Sequence, residues 1–435
     1  MRFGQLVIQN IIWRGLYFFS VFILNILISR YFKADGSGWI FYVINNLSFV
    51  LLILSLCLES GSTYYIATGE INSKKIATFS LLWSVIASLI CFFLVKWTVP
   101  ANHPFFISNT EIVVGYMAYV LGVLLTTYFN AIFFSKQNFF TPNIILFSVN
   151  LLIIMLLIIF GKQLFVRQHF LVIYFASFFL QGLLLVFGYY SAEFSINLTN
   201  FLSFEELKKI LNYSKLALVT NIVFFLVYRV DYWFVKRFCT EHDLGNYIQV
   251  SKLGQLFLAI PVMIAAIIFP RTATGVEEMQ IRTTLQTLSR LLFTLYAIII
   301  LGIILTGQWL FPFLFGTSFN RMYLPFLLMV PGILFLSSLA LLIAWNAGKN
   351  RVIVNLKGSL IALVIIISGD WFLIPSYGIR AAAAVSSTGY ISYLVYVLSV
   401  SAKEFEMPLK YFFVLRKSDI NWIRNILHNE DSSSH

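Results

Sequence analysis

Charge is scarce in this sequence. Asp, Glu, Lys and Arg make up 11% of its 435 residues, against about a quarter in a soluble domain. That scarcity excludes a water-soluble globular protein. Cysteine is equally sparse. Cys57, Cys91 and Cys239 stand too far apart for a disulfide framework or for metal-ligand spacing. The five histidines (His103, His169, His242, His428 and His435) are scattered in loops and tail, and no paired His/carboxylate or nucleophile constellation occurs. Catalytic residues, a bound metal and a resident cofactor are therefore not expected, and the chain reads as a non-enzyme. No phosphate-binding G-x-x-x-x-G-K-[ST] loop occurs either; WNAGKN is the nearest approach and lacks the rest of the motif. Energy must come from an ion gradient (Na+ or H+), the membrane potential or removal of product. The N-terminal run has no small-residue cleavage site and reads as an anchor, not a leader. The formal charge of +12 is spread over short loops, which argues against nucleic acid as a partner.

Apolar residues supply what is missing. They make up 60% of the chain, with a mean hydropathy of +0.86, in continuous runs with none of the ten-residue alternation of a membrane β-barrel. A hydrocarbon core of about 30 Å needs about 20 apolar residues per crossing. The runs predict about twelve transmembrane helices, near 6–30, 39–67, 76–97, 112–134, 142–160, 170–190, 214–238, 244–269, 287–308, 322–347, 352–374 and 379–401. The expected fold is an all-α polytopic membrane protein. Lys and Arg favour the loops on the side of the termini by roughly two to one, so both ends are expected in the cytoplasm. In the tail, FFVLRKSDINWIRNIL places Ser418 as an N-cap before an apolar face at Ile420, Ile423, Ile426 and Leu427, which suits a helix lying on the inner leaflet.

The chain also repeats. Residues 28–43 read ISRYFKADGSGWIFYV and residues 235–250 read VKRFCTEHDLGNYIQV; without a gap Arg30 meets Arg237, Tyr31 meets Phe238, Gly38 meets Gly245 and Val43 meets Val250. Each stretch joins the first two helices of a six-helix half, which describes parallel repeats. The expected organisation is an N-terminal lobe (1–200), a cytoplasmic linker (201–213), a C-terminal lobe (214–403) and a cytoplasmic tail (404–435), with a central cavity between the two six-helix lobes.

RYFKADGSGWIFYVINNLSFV followed by LESGSTYYIATGEINSKK resembles the first two helices of Wzx-type polysaccharide (O-antigen) flippases. These belong to the multidrug/oligosaccharidyl-lipid/polysaccharide (MOP) exporter superfamily. Asp231, LGNYIQVSKLGQ and IIFPRTATG resemble the corresponding part of the second half. The resemblance implies a bacterial inner-membrane transporter that moves a polyprenyl-diphosphate-linked oligosaccharide to the outer leaflet by alternating access. The unit would belong to O-antigen, lipopolysaccharide or another surface polysaccharide. Its surroundings would be the lipid bilayer and other polysaccharide-assembly membrane proteins.

Six charges fall inside the runs: Arg14, Glu59, Arg229, Asp231, Lys252 and Asp370. A charge at bilayer depth costs about 2.5–3.5 kcal/mol, so such residues face an interior cavity or a partner. Arg14, Arg229 and Lys252 are the expected cationic patch for a diphosphate or acidic sugar, because guanidinium forks match phosphate oxygens. Asp231 is the expected orienting or coupling acid. Asn45, Asn46, Asn221 and Gln255 are expected as polar lining. Glu59 and Asp370, nearer helix ends, are assigned interfacial or capping roles. Pro261 and Pro331 are expected to interrupt their helices, and AAAAVSSTG is assigned only close packing. Two alternatives stand beside the flippase. A cation-coupled drug exporter of the same superfamily would favour acids over arginines in its cleft. A polytopic oligosaccharide polymerase or ligase would carry a long external loop, which this chain lacks.

Overall fold

Continuous apolar runs without alternation can satisfy every backbone polar group in lipid only as helices, and the computed structural model is helical. It describes residues 3–98, 110–161, 167–193, 201–274, 278–405 and 412–419, and no strand occurs among them. Helices α1 (Phe3–Ser55), α2 (Leu58–Ala67), α3 (Ser73–Thr98), α4 (Thr110–Ser135), α5 (Phe140–Phe160) and α6 (Arg167–Glu193) precede α7 (Phe204–Arg229). Helices α8 (Asp231–Phe238), α9 (Glu241–Leu256), α10 (Ala259–Thr274), α11 (Glu278–Phe315), α12 (Tyr323–Gly348), α13 (Val352–Tyr377) and α14 (Ile379–Phe405) complete the series.

Eleven stretches among the described residues are long and apolar enough to cross a membrane. The first, Ile12–Ser55, has 44 residues, which at 1.5 Å per residue is about twice the hydrocarbon thickness. It is divided at Lys33, whose backbone leaves the helix (φ 56°, ψ −174°). It therefore holds two crossings, and the expected twelve are recovered. The repeat read from sequence marks the same place: Lys33 aligns with Thr240, the extended residue (φ −77°, ψ 163°) before α9.

Several expected helices are interrupted. The span 39–67 breaks at Leu56 and Cys57, both left-handed at φ 50°. The Tyr128 hydroxyl and the Trp83 Nε1 donate to the carbonyls of Ser55 and Leu54, which the break leaves without helical partners. The span 244–269 divides at Phe257–Leu258, and Pro261 lies in the first turn of α10, where its missing N–H costs little. Pro331 does not interrupt α12. The neighbouring Gly332 N–H donates instead to Ser387 Oγ on α14 at 2.8 Å.

Two compact units emerge, Met1–Ile222 and Val223–His435. Their boundary lies inside α7, so the stretch 201–213 is not a free linker; from Phe204 it is helix. The cause is a capping box: Glu206 N donates to Ser203 Oγ at 3.2 Å and Ser203 N to Glu206 Oε2 at 2.7 Å. Of the tail, residues 412–419 are described. The amphipathic face at Ile420, Ile423, Ile426 and Leu427 lies outside the described residues.

Candidate functional site

The second unit buries two carboxyl groups. Asp231 opens α8 and Asp370 stands on α13 about two turns from its end, both with no exposed surface. Asp231 Oδ2 accepts a short hydrogen bond from the Tyr247 hydroxyl of α9 and another from Ser386 Oγ of α14 at 3.1 Å. Tyr247 and Ser386 are themselves 3.3 Å apart. Asp231 Oδ1 has no hydrogen-bond partner among the described residues, nor has either oxygen of Asp370. The two carboxyls interact electrostatically with each other and with the Tyr247 and Tyr390 phenols. Four helices thus converge on a buried cluster of oxygen atoms. Two negative charges cannot rest there uncompensated, so the cluster suits a proton or a small monovalent cation.

This corrects two sequence expectations. Asp370 is not an interfacial cap; it is a wholly buried acid inside its helix. AAAAVSSTG is not packing alone, since Ser386 bonds Asp231 and Ser387 holds the Gly332 amide. Glu59 does occupy a helix end, in the first turn of α2.

A second group lies close by. Arg229, the last residue of α7, donates from Nη2 to Gln255 Oε1 at 3.1 Å and stands over the Phe225 ring at 5.7 Å. Gln255 Nε2 donates to Ser251 Oγ at 3.2 Å. Lys252, on the same helix as Gln255, is near enough to feel the Arg229 charge. Arg229, Lys252 and Gln255 are therefore brought together on α7 and α9, each half-buried. Asp231 feels the Arg229 charge; its Oδ2 is held by Tyr247 and Ser386, while Arg229, two positions earlier on the helix, points in a different direction.

Arg14 is half-buried on α1 in the first unit, its guanidinium 5.8 Å from the Phe18 ring. Asn45 and Asn46 are buried in that unit. Asn221 Nδ2 donates to Cys57 Sγ at 3.3 Å, a bond that ties α7 to the break before α2. Tyr247, Ser386 and Asp370 were missed as site residues. A lone acid inside the apolar run LVIIISGDWFLIP was the available signal for Asp370; Tyr247 lay in the stretch LGNYIQVSKLGQ that carried the family resemblance and Ser386 in AAAAVSSTG, but neither was assigned a site role.

No protein-family model matches the chain, and no curated protein matches it by sequence. Solved structures do match by fold. An inward-facing MATE-family multidrug resistance transporter of the MOP superfamily superposes with a TM-score of 0.72 at 15% identity, covering 90% of this chain and 94% of that one. The lipid II flippase MurJ in an inward closed conformation gives 0.71 at 14% identity, covering 92% and 89%. The Vibrio cholerae MATE transporter VcmN, as its D35N mutant, gives 0.64 at 13% identity, covering 94% and 99%. This chain therefore has the all-helical fold seen in MATE and MurJ transporters of the MOP superfamily.

Proposed function

We propose that the protein is a flippase that moves a polyprenyl-diphosphate-linked oligosaccharide between leaflets by alternating access, coupled to H+ or Na+. The observation that carries this reading is the gathering of Arg229, Lys252 and Gln255 within spans of a fold shared with transporters. Two cations gathered at bilayer depth make that face a match for negative charge on a substrate. A diphosphate supplies it: the guanidinium can bind two oxygens at once while Lys252 acts as a point charge. Gln255, which already orients Arg229, offers an amide to a neighbouring sugar hydroxyl. Arg14, Asn45, Asn46 and Asn221 stay candidate substrate-binding residues of the first unit, taken by itself. The placement in a bacterial inner membrane with cytoplasmic termini, and a role in O-antigen or another surface polysaccharide, belong to the same proposal.

The buried pair Asp231 and Asp370 is the proposed coupling site. A proton or Na+ entering there neutralises one charge, and its departure restores repulsion among α8, α9, α13 and α14. That pair is also the observation favouring the second reading, a cation-coupled exporter of small molecules.

The test is a proteoliposome assay with a lipid-linked saccharide whose arrival at the far leaflet is read by an impermeant lectin. Arg229→Ala and Lys252→Ala should each slow transfer about tenfold or more, the loss of a charge-assisted contact. Wild-type rates in both variants at normal insertion would reject the anion-binding role. Efflux of a cationic dye without saccharide transfer would select the exporter.

A further inference from the structure

The second unit holds a further pocket at the end where α8 meets α9, α11 meets α12 and α13 meets α14. Its volume is about 700 Å³, and Asp243, Gln308, Asn320, Arg321, Tyr377 and Arg380 line it. That volume is within the range of small-molecule sites, about 300–1,000 Å³. One wall is rigidly built. Arg321 Nη1 donates to Asp243 Oδ1 at 2.9 Å, and the Arg321 backbone N donates to Asn246 Oδ1 at 3.2 Å. Asp243 is fixed in turn, its N–H bonded to Thr240 Oγ1 at 3.1 Å and its Oδ2 accepting from the Thr240 hydroxyl at 2.7 Å.

The other polar lining groups are unengaged. Gln308, Asn320, Tyr377 and Arg380 are exposed and make no hydrogen bond or ion pair among the described residues. With Arg321 balanced by Asp243, Arg380 leaves the pocket one net positive charge. The surroundings locate it at a membrane boundary. Trp309, stacked on Phe313 at 4.8 Å, and Trp371 and Phe372 are all exposed near this end, and such aromatic belts mark the headgroup level. On the sidedness read from Lys and Arg, this end faces away from the cytoplasm.

From this we infer that the pocket receives the phosphate-bearing headgroup of a lipid standing in the outer leaflet. Arg380 and Arg321 take the phosphate oxygens, Gln308 and Asn320 take headgroup hydroxyls, and the acyl or prenyl chain lies along the aromatic belt. A chain of this chemistry has two sources, a bulk anionic phospholipid or the polyprenyl diphosphate of a transported unit. The site is separate from Arg229 and Lys252, and it does not require the protein to be a flippase.

The experiment is native mass spectrometry of the full chain in neutral detergent. The probes are phosphatidylglycerol, a polyprenyl diphosphate and uncharged diacylglycerol, tested on wild type, Arg380→Gln and Gln308→Ala. Arg380 makes no internal bond, so its thermal unfolding temperature should match wild type. Retention of the phosphate lipids should fall about tenfold in Arg380→Gln, the loss of one charge-assisted contact, and less in Gln308→Ala. Preference for the polyprenyl diphosphate assigns the site to cargo, and equal retention assigns it to membrane lipid; both support the inference. Equal retention of diacylglycerol, or no change in either variant, overturns it. Because transfer is not measured, failure here leaves the flippase reading to its own test.

Discussion

Arg290 on α11 grips Asp419 of the C-terminal tail through two bonds, Nε to Oδ2 at 2.7 Å and Nη2 to Oδ1 at 2.5 Å. The two side chains are 5% and 1% exposed. Arg416 N also donates to Asp419 Oδ2 at 2.9 Å, and Ser289 Oγ donates to the Phe412 carbonyl at 3.0 Å. Phe413 packs between Phe293 and Phe335 at 5.2 and 5.3 Å. The tail segment is thus strapped to α11 and α12. Removing one partner of a buried ion pair strands the other charge, at about 3–5 kcal/mol. Arg290→Leu should therefore release the tail, read as faster proteolysis around residue 415 and a lower unfolding temperature.

The same pair sets an acid limit. Burial alone would raise the Asp419 carboxyl, but the Arg290 bonds and charge and the Arg416 amide outweigh it and hold the group below the usual carboxylate range. Its folded value is depressed, so its stabilisation is full above the unfolded value of 3.8 and is lost as pH falls through the lowered one. Proteolysis of the tail should stay slow down to that region and rise below it. In Asp419→Asn that step should vanish, leaving cleavage fast and flat with pH.

Tyr247→Phe keeps the ring that meets Tyr232 edge-on at 6.1 Å but removes the donor to Asp231. The loss of one bond to a buried charge should cost about 1.5–3 kcal/mol, seen as a lower unfolding temperature.

If Asp231 and Asp370 share the coupling cation, Asp370→Asn should abolish the dependence of transport on the ion gradient while gradient-independent exchange persists. A fully gradient-driven Asp370→Asn variant would remove Asp370 from coupling.

In the first unit α4 and α6 cross at Gly122 and Gly182. A Cβ on Gly122 would stand 2.4 Å from the Phe178 backbone, and one on Gly182 would stand 2.7 Å from the Gly122 carbonyl. Neither neighbour can yield, since both are helix backbone. Gly122→Ala should destabilise the protein by about 1–3 kcal/mol, the usual cost of overpacking; thermal unfolding in detergent reads it. Gly302→Ala, with nothing within 4 Å, is the control.

The number of spans and their approximate places were legible because lipid imposes them locally: an apolar run of sufficient length must be helix, wherever it packs, although the breaks at Leu56–Cys57 and Phe257–Leu258 were not. The grouping of Arg229 with Lys252 and Gln255 was legible too, because consecutive helices in a polytopic chain are neighbours. Other features needed the assembled second unit. Asp370 looked like a helix-end residue until α8, α9 and α14 closed around it, and Ser386 stood in a run of small residues whose length says nothing of its neighbours. Hydrophobicity along the chain is a property of each segment against the membrane. Which buried polar atoms meet depends on the rotation of each helix about its axis, and that is decided only when every helix has packed.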